Sequence, residues 1–152
     1  MSRIIQTDGV GKRRQRLLQM LGAALREMLT QTRPDARTLD LAAFIAELLG
    51  AVDATIEETT TPWEKRGYWV KADRFRMEWR WVRQLRERME EAVRAQDWEA
   101  IADAAAKIFG RIGHVRVPKR LKLDNAWEGA YQRLLEKPPD AQPGTQDHNA
   151  SS

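Results

Sequence analysis

The sequence predicts an all-α protein in which about five helices pack as a compact antiparallel bundle. Two observations predict this class. Five stretches carry apolar side chains at spacings of three and four residues, which is the pattern of helices buried along one side. The only stretch with alternating apolar residues, 114–123, is short and is interrupted by Pro118. We therefore expect a loop or a short extended segment there and essentially no sheet.

The length of 152 residues favours a single domain. We assign residues 11–137 to one helical-bundle domain. Residues 1–10 precede the first periodic pattern and are expected to form a flexible N-terminal arm. Residues 138–152 are rich in proline and small polar residues, a composition typical of a disordered tail.

The first two predicted helices form a hairpin around Pro34, which marks the break between them. The first begins near Gly11, and its apolar positions are Leu17, Leu18, Leu21, Leu25, Met28 and Leu29. Thr38 is the expected N-cap of the second helix. The apolar face of this second helix comprises Leu41, Phe44, Ile45, Leu48, Leu49, Val52 and Ile56.

The third predicted helix begins at the Thr61-Pro62 pair. Thr61 suits an N-cap, Pro62 suits the first helical position, and Glu64 completes a capping box. The pattern then continues to about Ala95, with Gly67 as its one glycine. A single long helix is therefore expected after a tight turn at Thr61.

Two shorter helices complete the predicted bundle. Asp97 is the expected N-cap of the fourth, which should end in a left-handed turn near Gly110 or Gly113. Asn125 and Glu128 have capping-box spacing and predict the start of the fifth helix.

Composition excludes several functional classes. The absence of cysteine excludes a disulfide scaffold, a thiolate zinc site and a cysteine nucleophile. The longest apolar stretch, which contains residues 41–45, is far too short to span a membrane. No apolar run near the N-terminus has the length of a signal peptide. We therefore expect a cytoplasmic protein that does not bind membranes.

The sequence gives no support for catalysis. It contains two histidines, of which His148 lies in the predicted tail and His114 has no partner at catalytic spacing. Asp53 and Glu57 offer carboxylates, but the predicted facing helix supplies mostly arginine in place of a matching acidic motif. We expect a non-enzymatic protein without a metal or another cofactor.

Charge is divided between two adjacent blocks. Residues 38–64 contain six acidic and no basic residues, whereas residues 65–88 contain nine basic and three acidic residues, a net charge of +6. Antiparallel packing of these blocks predicts a seam of ion pairs between the second and third helices. Its expected members are Asp53 and Glu57 on one side and Lys65, Arg66, Lys71 and Arg74 on the other.

The third predicted helix presents a basic ridge. Arg76, Arg80 and Arg83 are spaced so that they share one side of a helix, with Trp69 along the same line. On the apolar side of the same helix lie Arg74 and Glu78. This pair predicts either a buried ion pair, with Asp53 as another partner for Arg74, or a small polar pocket lined by Trp63 and Trp81.

Two functional hypotheses follow from the basic and aromatic residues. The preferred one is a module that binds a protein partner, including a second copy of the chain, through a surface rich in Trp and Arg. Of the six tryptophans, Trp69 and Trp79 are expected to be exposed. The alternative is nucleic-acid binding through the N-terminal arm, the basic ridge and residues 111–122. The basic residues outside the ridge that would serve either partner are Lys12, Arg13, Arg14, Arg16, Arg116, Lys119, Arg120 and Lys122.

Overall fold

The structure is a computed structural model that describes residues 2–138, with side chains from Gly9 onward. Within residues 2–138 there are six helical segments and no strand, so the all-α prediction is confirmed. The segments are α1 (Ser2–Leu29), α2 (Ala36–Lys65), α3 (Trp69–Glu78), α4 (Arg80–Arg94), α5 (Trp98–Ile112) and α6 (Ala130–Glu136). The backbone of the expected N-terminal arm is part of α1 from Ser2 onward. The predicted tail lies outside the described residues from position 139 onward.

The central element of the bundle is α2, which packs against α1, α3, α4 and α6. All six residues from 41 to 46 are buried, so this part of α2 is covered on every side. The helix α5 closes the bundle by packing on α4 and α1. None of the described helices combines the length and the hydropathy needed to cross a bilayer.

The N-cap of α2 is Asp35, three residues before the predicted Thr38. One Asp35 carboxylate oxygen accepts hydrogen bonds from the backbone N–H groups of Arg37 and Thr38, at 3.0 and 3.2 Å. In return, the Thr38 hydroxyl accepts from the backbone N–H of Asp35 at 3.2 Å. Thr38 therefore takes part in the cap, but as the third helical residue of a reciprocal capping box.

The helix α2 continues through Pro62, so the predicted helix start at Thr61 is wrong. Packing beyond the proline explains the continuation, because the ring of Trp63 meets that of Phe75 edge-on at 5.4 Å. The helix ends at Lys65 instead, two residues before Gly67, whose φ of +84° is the left-handed conformation that terminates helices. The turn to α3 therefore lies six residues later than predicted, at Gly67 and not at Thr61.

The predicted third helix is broken a second time at Trp79, between α3 and α4. The Trp79 ring stacks on that of Trp81 at a centroid separation of 6.1 Å and contacts Phe75 at 6.2 Å. Trp79 is thus half-buried in an aromatic cluster, and its expected exposure is wrong. Because of this break, the side of α3 that packs on the bundle does not continue the buried side of α4 as it would in one uninterrupted helix.

The start of α5 is confirmed at Asp97, whose carboxylate accepts from the backbone N–H of Ala100 at 3.1 Å. Its end differs from the prediction, because Gly113 has a right-handed φ of −57°. The last helix, α6, follows Gly129 at φ +80° and does not begin at Asn125. The carboxylate of Asp40 accepts backbone hydrogen bonds from Gly129 and Tyr131, which fixes this start against α2.

Candidate functional site

The predicted ion-pair seam between the acidic and basic blocks is present, with Arg76 at its centre. The Arg76 guanidinium donates to both carboxylate oxygens of Glu64, at 2.8 and 2.9 Å, and to Glu57 at 3.2 Å. Arg83 donates twice to one oxygen of Asp53, at 3.1 and 3.2 Å. Two of the three ridge arginines therefore hold α3 and α4 against α2.

The geometry of the seam changes the acidity of its members. The hydrogen bonds from Arg76 hold the pKa of the Glu64 carboxyl below its ordinary value. The same bonds, together with those to Glu57, raise the pKa of Arg76. Both shifts favour the charged forms, as expected for a bidentate arginine–carboxylate pair.

The basic members predicted for the seam lie elsewhere, because the turn between the blocks falls at Gly67 and not at Thr61. Lys71 places its ammonium 4.3 Å from the ring centre of Trp63. Lys65, Arg66 and Arg74 are exposed and form no ion pair with any described side chain.

The predicted buried pair of Arg74 and Glu78 is wrong, and so is the pocket proposed around it. Both side chains are exposed, and neither forms an ion pair within residues 9–138. The reason is the orientation of α3, which turns Ala72 and Phe75 toward α2. Arg74 and Glu78 consequently point to solvent.

Asp53 and Glu57 do line a cleft, but with partners other than those expected. Its volume is about 310 Å³, and its walls are Asp53, Ile56, Glu57, Arg76, Trp79, Arg80 and Arg83. Most of these charges already neutralise one another across the seam. Within residues 9–138 no three His, Asp or Glu side chains are grouped to hold a metal ion.

Arg14 points into the bundle and not toward solvent. Its guanidinium donates to the hydroxyl and carbonyl oxygens of Thr55, at 2.9 and 3.0 Å. It also lies 5.0 Å from the ring centre of Phe75 and 5.6 Å from that of Trp79. The pKa of Arg14 is lowered mainly by burial of its guanidinium and further by the positive charge of the neighbouring Arg13.

The first basic cluster is therefore divided. Arg13 pairs with Glu58 on α2, and Arg14 is an internal contact between α1 and the aromatic cluster. Lys12 and Arg16 are exposed and have no ion-pair partner among the described side chains. Only these two of the four are available to an anionic ligand.

Residues 113–123 run beside α1 as an irregular segment. The Gln19 side chain donates to the carbonyl of Arg116 at 3.3 Å. A side chain at Gly22 would place its first carbon 2.7 Å from a methyl group of Val117, so only glycine permits this approach. These contacts bring two basic clusters together in what we call the α1–loop face, comprising Lys12, Arg16, Arg116, Lys119, Arg120 and Lys122.

A second unpartnered surface lies on α3. It contains four large apolar side chains that are each more than half exposed, three on α3 and one, Tyr68, at its N-cap, and we call this surface the α3 apolar face. Its members and exposed fractions are Tyr68 (53%), Trp69 (59%), Val70 (65%) and Met77 (64%). The exposure of Trp69 confirms the prediction. No sequence signal showed that α3 would turn Val70 and Met77 outward.

The comparisons with known proteins identify no relative. No protein-family model, curated protein or solved structure matches this chain. The α3 apolar face and the α1–loop face are therefore the observations from which a function can be argued.

Proposed function

We propose that this protein is a non-enzymatic helical interaction module that binds a protein partner through the α3 apolar face. The observation that supports the proposal is the concentration of Tyr68, Trp69, Val70 and Met77 within ten residues, each more than half exposed. Large apolar side chains grouped on a surface are characteristic of protein-binding sites. Tryptophan and arginine are also the residues most often found at the energetic centre of interfaces, and Arg74 is exposed on the same helix.

The way α3 is attached makes this face suitable for binding. Ala72 is fully buried against the bundle, and Phe75 packs edge-on against Trp63. The bidentate contact of Arg76 with Glu64 holds the same helix from its inner side. A face that is held rigid before binding loses less conformational entropy when the partner arrives.

The chemistry of the face indicates an apolar partner surface with a polar rim. Asp73 and Arg74 lie between Val70 and Met77 along the helix and are both exposed. Such a face suits a protein with a complementary apolar surface, and a second copy of this chain, which would present the same apolar side chains, is one candidate. We expect the interaction to take place in the cytoplasm, because a composition without cysteine suits a reducing compartment.

Site-specific photo-cross-linking in the native host tests the proposal. A photoreactive amino acid at Val70 should give one discrete protein adduct, whereas the same group at Ala106, an exposed position on α5, should not. Trp69→Ser should abolish the adduct without changing the far-UV circular dichroism. The same adduct from both positions, or an adduct that persists in Trp69→Ser, would contradict the assignment. Sedimentation velocity then distinguishes self-association from a different partner.

A further inference from the structure

We infer that the α1–loop face binds the phosphate backbone of a double-stranded nucleic acid, a function separate from protein binding at α3. The sequence hypothesis of nucleic-acid binding included the ridge of Arg76, Arg80 and Arg83. Arg76 and Arg83 are engaged by carboxylates on α2, so the ridge supplies little free charge. Six exposed cations that form no ion pair with a described side chain lie instead along α1 and residues 113–123.

The first argument is the absence of compensating charge. No acidic residue occurs between Gly9 and Arg26, or between Arg111 and Leu123. All six basic side chains of the α1–loop face are exposed, and none pairs with a carboxylate in the part of the chain whose side chains are described. Cations held without partners release condensed counterions when they meet phosphates, which drives binding.

The second argument is the fixed position of these cations. Lys12 and Arg16 share the side of α1 that carries Gln19, whose side chain holds the carbonyl of Arg116. Val117 is seated against Gly22, which holds the irregular segment close to the helix. The basic side chains of this segment therefore lie beside α1 and do not extend on a separate arm.

The third argument concerns the extent of the surface. Arg26 lies on the same side of α1 and, with Lys119 and Lys122, lines a groove of about 450 Å³ between the helix and the segment. The carboxylates of Glu27 and Asp124 also line this groove, and that of Glu27 is paired with Arg37. From Lys12 to Arg26 the helix rises about 21 Å at 1.5 Å per residue. Phosphates follow one another about every 3.4 Å along each strand of a duplex, so the face covers several of them.

The chemistry of the face favours a duplex over a single strand. Proteins that bind single strands stack bases on aromatic side chains. Neither residues 9–29 nor residues 113–123 contain Trp, Tyr or Phe. Trp127 lines the groove, but the guanidinium of Arg37 covers its ring at 4.8 Å. The exposed ring of Phe109 lies on α5, one helical turn before Gly113, where the segment begins.

The same face is poorly suited to a protein partner. A protein interface requires an apolar centre. The apolar side chains of the segment, Val115, Val117, Leu121 and Leu123, are all partly buried against the bundle. We therefore expect contacts to phosphates without base readout, and hence binding that depends strongly on salt and weakly on base sequence.

Fluorescence anisotropy with a labelled duplex of about 20 base pairs, at salt concentrations from about 50 to 200 mM, tests the inference. The test variant is the triple substitution Lys119→Gln, Arg120→Gln, Lys122→Gln. The matched control is Lys65→Gln, Arg66→Gln, Arg74→Gln, which removes the same charge from exposed side chains outside the face. Circular dichroism verifies that both variants remain helical.

We expect the wild-type protein and the control to bind the duplex with similar affinity. The test variant should bind at least about tenfold more weakly, with a salt slope reduced by about three. Trp69→Ser should bind the duplex with the affinity of the wild type, because Trp69 lies outside the α1–loop face. The duplex measurement therefore tests this inference independently of the protein-binding proposal.

Several outcomes would overturn the inference. One is the absence of duplex binding at about 10 µM protein in about 50 mM salt. A second is an equal loss of duplex affinity in the test variant and the control. A third is displacement of the labelled duplex by polyglutamate at a lower charge concentration than unlabelled duplex requires. A matching single strand bound more tightly than the duplex, and weakened by Phe109→Ala, would also overturn it.

Discussion

Arg76 on α3 and Glu64 near the end of α2 form two parallel hydrogen bonds, at 2.8 and 2.9 Å, across the turn that joins their helices. This fork-to-fork contact defines one relative orientation of the guanidinium and the carboxylate. The turn contains Gly67, which has a left-handed backbone, so the pair sets the angle between two helices whose connection is otherwise a few residues long. It thereby helps to hold the inner side of α3 against α2.

Stability should depend on pH through this pair. The pKa of Glu64 is lowered in the folded state, so its contribution is present above the unfolded value of about 4.5 and disappears as pH falls through the lower folded pKa. In Glu64→Gln the charged pair is absent at every pH. We expect the wild type to be more stable than Glu64→Gln at pH 7, with the difference narrowing as the pH falls below about 4.5. Urea unfolding monitored by tryptophan fluorescence measures this difference, and a gap that widens in acid would contradict the argument.

Arg14 should contribute to stability although it was expected to bind a ligand. Arg14→Met keeps much of the side-chain volume but removes the hydrogen bonds to Thr55 and the contacts with two aromatic rings. We expect a loss of about 1–3 kcal/mol in the free energy of unfolding, because the oxygen atoms of Thr55, a buried residue, then lose a hydrogen-bond donor. Arg16→Gln, two residues further along the exposed side of α1, is the control and should change stability by less than about 0.5 kcal/mol. Equal effects from the two substitutions would show that Arg14 is not the internal contact described.

The periodic spacing of apolar residues predicted the helices well, because most of their burial follows from which side of each helix is apolar. The opposition of an acidic and a basic block also predicted the ion-pair seam. Which residues pair across the seam was not predictable, because the pairing depends on where the turn lies. Pro62 indicates a helix start at Thr61, and only the packing of Trp63 beyond it shows that α2 continues. The orientation of α3 depends on the break at Trp79, for which the sequence contains no glycine or proline. That break is the reason Val70 and Met77 lie on the surface.

The position of the turn between α2 and α3 should depend on the backbone of Gly67. The φ of +84° is unfavourable for residues with a side chain, while the space around the glycine is open, so any cost of substitution is conformational. Gly67→Ala should destabilise the protein by about 1 kcal/mol. Gly67→Asn should cost less, since asparagine tolerates the left-handed region better than alanine does. Thermal unfolding of the two variants gives the comparison, and equal or reversed effects would indicate that the turn relaxes to a different conformation.

Two glycines in α1 provide a matched pair that tests the seating of residues 113–123 on this helix. Nothing lies within 4 Å of a side chain added at Gly11, so Gly11→Ala should stabilise the helix by about 0.5–1 kcal/mol. The same change at Gly22 meets a methyl group of Val117 at 2.7 Å, so the gain in helix propensity should be lost and the segment displaced. The double variant Gly22→Ala, Val117→Ala removes the clash and should recover part of the stability lost in Gly22→Ala. Urea unfolding measures all three variants, and hydrogen exchange at residues 114–123 should increase only in Gly22→Ala and the double variant. If Gly22→Ala stabilises the protein as Gly11→Ala does, the segment does not rest on α1 in solution, and the face formed by the two basic clusters does not exist as described.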